Sequence, residues 1–214
     1  MARRKHIKIR DVGKFENVFM GEDKDLEESI LRFFGNNNPI TLEIGCGRGD
    51  YSIALAGNFP ERNFIGLDLR GDRIWNGSES ATERNLKNVG FLVAFADQLP
   101  ELFSKLKISE IWIPFPDPHL KPRDINRRLV APKYLSIYRE ILNTGGVINL
   151  KTDERMLYNY ALETLNEFNL DIIKHTDDLY SKSELLFEET IKTKYEMRYI
   201  AEGKKINLVG FKFK

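Results

Sequence analysis

The residues best suited to chemistry are a glycine triplet and a series of acids that follow apolar runs. Glu43 precedes Gly45, Gly47 and Gly49 in the stretch Leu42-Glu43-Ile44-Gly45-Cys46-Gly47-Arg48-Gly49-Asp50. Glycines at alternate positions between a strand run and a helical pattern let the backbone take positive φ and let a ligand come close. A dinucleotide fingerprint wants its third glycine one place later, where Asp50 stands. The shorter spacing, with Glu43 before it, suits S-adenosylmethionine better than NAD. Asp68 ends the next apolar run, about twenty residues on, where a carboxylate accepts both hydroxyls of a ribose. It could equally cap a helix starting near Gly71.

Further acids follow the later runs. Asp97 comes just after the third, where it could meet an adenine edge or cap a short helix. Asp117 lies between Pro116 and Pro118, which restrict its backbone, although a turn aspartate is also common. Lys121, Arg123, Arg127 and Arg128 follow as a basic patch. A charge run is usually a solvated face, but beside a reaction edge it reads as a phosphate clamp. Asp153 ends the fifth run and could also be the N-cap of the helix after it.

The elements that must position these residues alternate. Strand patterns over 40–44, 63–68, 90–95, 108–115, 147–150, 170–174 and 206–213 are interleaved with helical ones over 51–56, 72–88, 102–106, 132–142, 154–168 and up to about 200. The first helical pattern, 23–34, ends at Gly35-Asn36-Asn37-Asn38-Pro39. That alternation predicts a three-layer α/β domain with ligands at the C-terminal ends of its strands. The division expected is a basic arm and first helix over 1–38, then one domain over 39–214. Arg3, Arg4, Lys5, Lys8, Arg10 and Lys14 read as a poorly ordered, solvated terminus, compatible with touching phosphates.

Composition excludes several classes. The 214 residues are 42% apolar, enough for a buried core and too many for a disordered chain. No apolar run is long enough for a membrane helix, and no h-region follows the N-terminal basic residues. The single cysteine, Cys46, rules out a disulfide framework and a cysteine metal site, so a reducing cytoplasm is expected, with no metal. A net charge of +1 leaves any nucleic-acid contact to local clustering.

The ordered set Leu-Glu-Ile-Gly-Cys-Gly-Arg-Gly, Asp68, Asp97, Pro116-Asp117-Pro118 with Lys121 and Arg127-Arg128-Leu129, Lys151-Thr152-Asp153 and Thr193-x-Tyr195-Glu196 resembles the bacterial tRNA (guanine(46)-N7)-methyltransferases of the single-subunit type. The resemblance runs from about residue 39 to 213. It implies a Rossmann-like class I methyltransferase with a mostly parallel seven-stranded sheet and an antiparallel last strand. It implies S-adenosylmethionine as cofactor, tRNA as partner and a monomer or homodimer. By motif match, Glu43, Gly45, Gly47, Gly49, Asp68, Asp97 and Asp117 would line the cofactor site, with Asp117 nearest the chemistry. Lys121, Asp153, Thr193, Lys194, Tyr195 and Glu196 would meet the target nucleoside, and Arg123, Arg127 and Arg128 would touch tRNA. His119, Leu120 and Pro122 depart from the usual Trp-Pro-Lys-Lys line, which removes an aromatic and a lysine from that loop. A methyltransferase for another RNA base or a small molecule, and a non-catalytic RNA-binding protein of the same fold, are the competing readings.

Overall fold

A computed structural model describes residues 2–214, with side chains from residue 5 onward. The chain divides into two compact units, residues 1–108 and 109–214. Eight strands, one more than the seven expected, occur among the described residues.

The first unit contains α1 (Ala2–Asp11), β1 (Val18–Met20), α2 (Leu26–Phe34), β2 (Ile40–Ile44), α3 (Asp50–Asn58), β3 (Asn63–Asp68), α4 (Gly71–Glu83), β4 (Val89–Val93) and α5 (Leu99–Leu102). Its strands run in the order β1-β4-β3-β2, all parallel. Every residue of β2 is buried, the polar Thr41 and Glu43 as fully as the apolar Ile40, Leu42 and Ile44 with which they alternate, as in a strand covered on both faces. α2 buries Leu26, Ile30 and Phe34 at helical spacing and stops at Gly35, whose φ is +62°. The additional strand is β1, three residues long and too short to show a period. The basic terminus is helical: α1 packs on α4, with the Lys8 ammonium 3.8 Å from the centre of the Trp75 ring. The cation–π contact and a hydrogen bond from the Lys8 ammonium to Asn76 Oδ1 hold this polar segment to α4. Two helices also differ from expectation. α4 ends at Glu83, short of Asn88, and α5 begins at Leu99, where Pro100 suits the first turn.

The second unit contains β5 (Ile108–Pro114), which begins one residue before the division, α6 (Pro132–Ile141), β6 (Leu142–Thr152), α7 (Arg155–Glu167), β7 (Asp171–Thr176), α8 (Phe187–Thr190), α9 (Lys194–Ala201) and β8 (Asn207–Lys212). The order is β5-β6-β8-β7, with β8 antiparallel to both of its neighbours. The last strand is therefore antiparallel, as the family resemblance implies. Buried Trp112, Tyr138, Ile148, Leu150 and Phe211 form much of this unit's core.

Candidate functional sites

In the first unit, the glycine loop follows β2 and Asp68 ends β3. Gly45, Gly47 and Gly49 all have positive φ, +78°, +58° and +69°. The three serve different ends. A Cβ on Gly49 would lie 2.3 Å from the Phe91 ring, so packing excludes a side chain there. A Cβ on Gly45 or Gly47 would meet nothing within 4 Å. Those two glycines keep the backbone bare on an open side, as a close-binding ligand needs. The Leu67 carbonyl accepts from the N–H groups of both Gly45 and Cys46, at 2.9 Å each. The Asp68 carboxylate accepts from the Gly47 N–H and the Arg70 N–H, both at 2.8 Å. Asp68 thus fixes the loop, and a carboxylate so bonded keeps further lone-pair sites. It is not the cap of α4, since the N-cap position is Arg70.

Glu43 is buried, and its Oε2 accepts from the Ser52 N–H at 2.9 Å and from the Ser52 hydroxyl. That pairing ties β2 to the first turn of α3. Burial pushes the Glu43 carboxyl up to about 8, the Ser52 bonds oppose the rise, and the charges of Asp50 and Asp68 add to it. Burial likewise pushes the Cys46 thiol up, which makes it an inert packing group. Asp97 is exposed and lies inside a short 3-10 helix whose N-cap is Phe95, so it is not the cap.

In the second unit, Asp117 follows β5 on a bent loop. Phe115 and His119 both have positive φ, +55° and +44°, a conformation that costs bulky residues energy and clusters at functional sites. The Asp117 side chain is 74% exposed and accepts from the His119 N–H at 3.0 Å. Arg128 holds the loop from below. It is buried, donates to the carbonyls of Pro118 and His119 at 3.1 Å each, and lies 4.4 Å from the Tyr160 ring centre. Its placement departs from the expected phosphate contact, because two loop carbonyls and an aromatic face draw the guanidinium inward. Arg123 and Arg127 stay exposed beside Asp124, 3.9 and 3.4 Å away, and Lys121 is exposed as well. A cleft of about 530 Å³ opens beside Arg128 and Tyr160, with Glu154, Met156 and Asn159 on its α7 side.

The remaining candidates lie on two segments that meet at the end of β6. Thr193 is the N-cap of α9 and its hydroxyl accepts from the Glu196 N–H at 3.2 Å. Glu196 is fully buried, where the resemblance implies contact with a nucleoside. Its oxygens take the Lys151 ammonium at 2.8 and 3.0 Å and the Tyr180 hydroxyl at 2.6 Å. Lys151 also donates to the carbonyls of Glu189 and Ile191, 3.1 Å each. Burial lowers the Lys151 pKa and Glu196 opposes that shift, while burial and the Glu196 bond raise that of Tyr180. A low-dielectric setting gives such a bonded pair rigidity, because a lone partner there would be strongly penalised. Asp153 is 12% exposed and pairs with Lys204 at 2.5 Å; the helix cap is Glu154, whose carboxylate accepts from the Met156 N–H. Lys194 and Tyr195 project outward.

The structure thus joins the Lys151–Asp153 and Thr193–Glu196 segments through Lys151, a side chain that the motif match leaves without a role. A lysine continuing an apolar strand run was the available signal, since such a residue must find a partner when buried. Ser52 and Tyr180 carried no comparable signal. Among the described residues, no cluster of His, Cys, Asp and Glu is built to hold a metal, and no helix is long and apolar enough to cross a membrane.

Solved structures show the same fold. A 16S rRNA methyltransferase, KamB, superposes with a TM-score of 0.68 over 92% of this chain and 98% of its own, at 13% identity. An antibiotic-resistance methyltransferase, Kmr, gives 0.64 over 91% and 97%, at 15% identity. At such identities the likeness concerns the fold alone: that of the Rossmann-like methyltransferases. A family model described as a putative methyltransferase matches residues 37–209. A tRNA (guanine-N(7)-)-methyltransferase of Christiangramia forsetii is 35% identical over all of this chain and 99% of its own length. That of Cytophaga hutchinsonii is 36% identical with the same coverage, and that of Porphyromonas gingivalis 40% identical over 84% of this chain and 73% of its own. The chain belongs to the tRNA (guanine-N(7)-)-methyltransferase family.

Proposed function

We propose that this enzyme transfers a methyl group from S-adenosylmethionine to N7 of guanine 46 in the variable loop of tRNA, in the cytoplasm. The reading is supported above all by relatives that match the chain end to end and are named for that base and that atom. The donor's fit rests on this chain's own backbone. Gly45 and Gly47 are open where a Cβ would stand, and Asp68 keeps acceptor capacity beside them. Glu43, Gly45, Gly47, Asp68 and Asp97 would hold the cofactor, which supplies a methyl carbon made electrophilic by its sulfonium.

Guanine N7 carries a free lone pair, so the protein need not remove a proton before attack. Its work is alignment and electrostatics. Asp117 is assigned to the reaction edge, where its carboxylate opposes the positive charge growing on the imidazole ring. Arg128 and the His119 N–H hold that loop. Asp153 accepts guanine's N1–H and N2–H donors, which adenine lacks as a pair. Glu196 acts from behind, anchoring α9 through Lys151. Arg123, Arg127 and Lys121 face phosphates.

Incubating the protein with unmodified tRNA and methyl-labelled S-adenosylmethionine, then digesting to nucleosides and mapping the site, tests the reading. 7-Methylguanosine at position 46 is expected. A different labelled nucleoside, or label on N7 elsewhere, would overturn it.

A further inference from the structure

A cation already lies between an aromatic face and a carboxylate in the second unit. The Lys204 ammonium is 4.4 Å from the centre of the Tyr199 ring and 2.5 Å from Asp153 Oδ2. Tyr199 sits on α9 with its ring 5.9 Å from that of Phe115, tilted by 39°. Phe115 is the left-handed residue two places before Asp117, and its N–H is fixed to the Lys151 carbonyl at 2.8 Å. Both rings are partly exposed. The end of β5, the end of β6 and the middle of α9 therefore share one corner, with apolar walls and an acidic edge.

We infer that this corner seats the purine being methylated, with Tyr199 and Phe115 as its stacking walls, and that Lys204 is a plug the base displaces. The inference rests on the proposed methylation of guanine. Its chemistry follows from what the corner now holds. A base offers a flat π surface to an aromatic ring, and such a stack contributes substantially to single-stranded nucleic-acid binding. Guanine brings N1–H and N2–H to Asp153 in place of the ammonium. Methylation at N7 then makes the ring system cationic, and an electron-rich aromatic face holds a cation better than a neutral group. The Lys204 ammonium occupies the position such a cation would take. The walls would therefore favour the transition state and product over the ground state, which raises turnover rather than affinity alone. The strained φ of Phe115 has a use in this arrangement, since it turns the ring toward α9 while Asp117 continues along the loop.

Tyr199→Leu keeps an apolar side chain and removes the ring; Tyr199→Phe keeps the ring. Two measurements on each variant test the assignment, with thermal unfolding to show an intact fold. The first is kcat for methyl transfer to unmodified tRNA at saturating substrates. A fall on the order of 10-fold is expected for Leu, the scale of one lost stack, and little change for Phe. The second needs no turnover: the ratio of affinities for methylated and unmethylated tRNA of the same sequence. The wild type should prefer the methylated form, the Phe variant should keep that preference and the Leu variant should lose it. A folded Leu variant with wild-type kcat and wild-type preference would overturn the inference, as would a wild type with no preference at all. Failure of the wild type to methylate tRNA would instead defeat the functional reading itself.

Discussion

A buried glutamate stands beside the candidate site in each unit, Glu43 in the first and Glu196 in the second, and the two are held in opposite ways. Glu43, in the first unit, meets a hydroxyl and a backbone N–H, both from Ser52, with the negative charges of Asp50 and Asp68 close enough to raise its pKa. Glu196, in the second, meets the Lys151 ammonium and the Tyr180 hydroxyl. The first carboxyl is pushed up to about 8 and holds its proton at neutral pH; the second is matched by a buried cation. The difference follows from what each must anchor. Glu43 fastens a loop that folds locally, strand to helix, over nine residues of sequence. Glu196 fastens a helix to a strand forty-five residues away, and Lys151 gathers two further carbonyls of the intervening chain. A neutral hydrogen bond suffices for the short link, and the long one uses an ion pair.

Removing one partner of the charged link should have the largest effect. Lys151→Met leaves a buried carboxylate without its cation and is expected to cost about 3–5 kcal/mol of stability. Adding Glu196→Gln should recover part of that loss, because the uncompensated charge is gone. Chemical denaturation of the single and double variants measures both. If the double variant is less stable than Lys151→Met, the ion-pair account of this anchor fails.

Asp117 comes next. Asp117→Asn keeps size and removes charge, and kcat should fall on the order of 10²-fold, the scale of one electrostatic stabiliser. Cofactor affinity should move much less. Single-turnover methyl transfer and calorimetry on the same variant separate the two, and parallel losses would make Asp117 a binding residue only. The neighbouring arginines should then part company. Arg127→Ala is expected to flatten the salt dependence of tRNA binding by about 1 unit in log K against log salt. Arg128→Ala removes two loop bonds and should instead destabilise the fold by about 1–3 kcal/mol, as charged hydrogen bonds do. An equal effect of both on the salt slope would return Arg128 to the phosphate face.

At low pH the smallest effect of substitution belongs to the neutral link. The folded pKa of Glu43 lies above its ordinary value of 4.5, so the folded state binds the extra proton between that value and about 8. Its contribution to stability is therefore complete below 4.5 and is lost as pH rises to about 8. Glu43→Gln, which copies the protonated form, should unfold at nearly the wild-type temperature at low pH and show a shallower decline across that window. An unchanged slope would mean that Glu43 is ionised when folded.

The glycine loop was the legible part. Gly45, Gly47, Gly49 and Asp68 stand within one strand–loop–helix–strand unit, so spacing alone foretold that they lie together. β1 was not legible, because three residues carry no period, and α1 was masked by its own charge. Arg128 was misplaced because residue type speaks for the surface and only the folded loop supplies the carbonyls that bury it. Glu196 is instructive in another way. Thr193-x-x-Glu196 has capping-box spacing, and the structure keeps half of the box: Thr193 caps the helix while the Glu196 side chain turns to Lys151. The motif marked the helix start; the buried partner, forty-five residues earlier, was beyond any local pattern.

The central claim is the division of labour between the two units, cofactor to the first and guanine to the second. Calorimetric titration of S-adenosylmethionine into Asp68→Ala and Asp153→Ala tests it most directly. Asp68→Ala should bind the cofactor on the order of 10-fold or more weakly, the scale of hydrogen bonds to a charged group. Asp153→Ala should bind it as the wild type does while losing methyl transfer to tRNA. Wild-type cofactor affinity in a folded Asp68→Ala, or a matching loss in Asp153→Ala, would contradict that division.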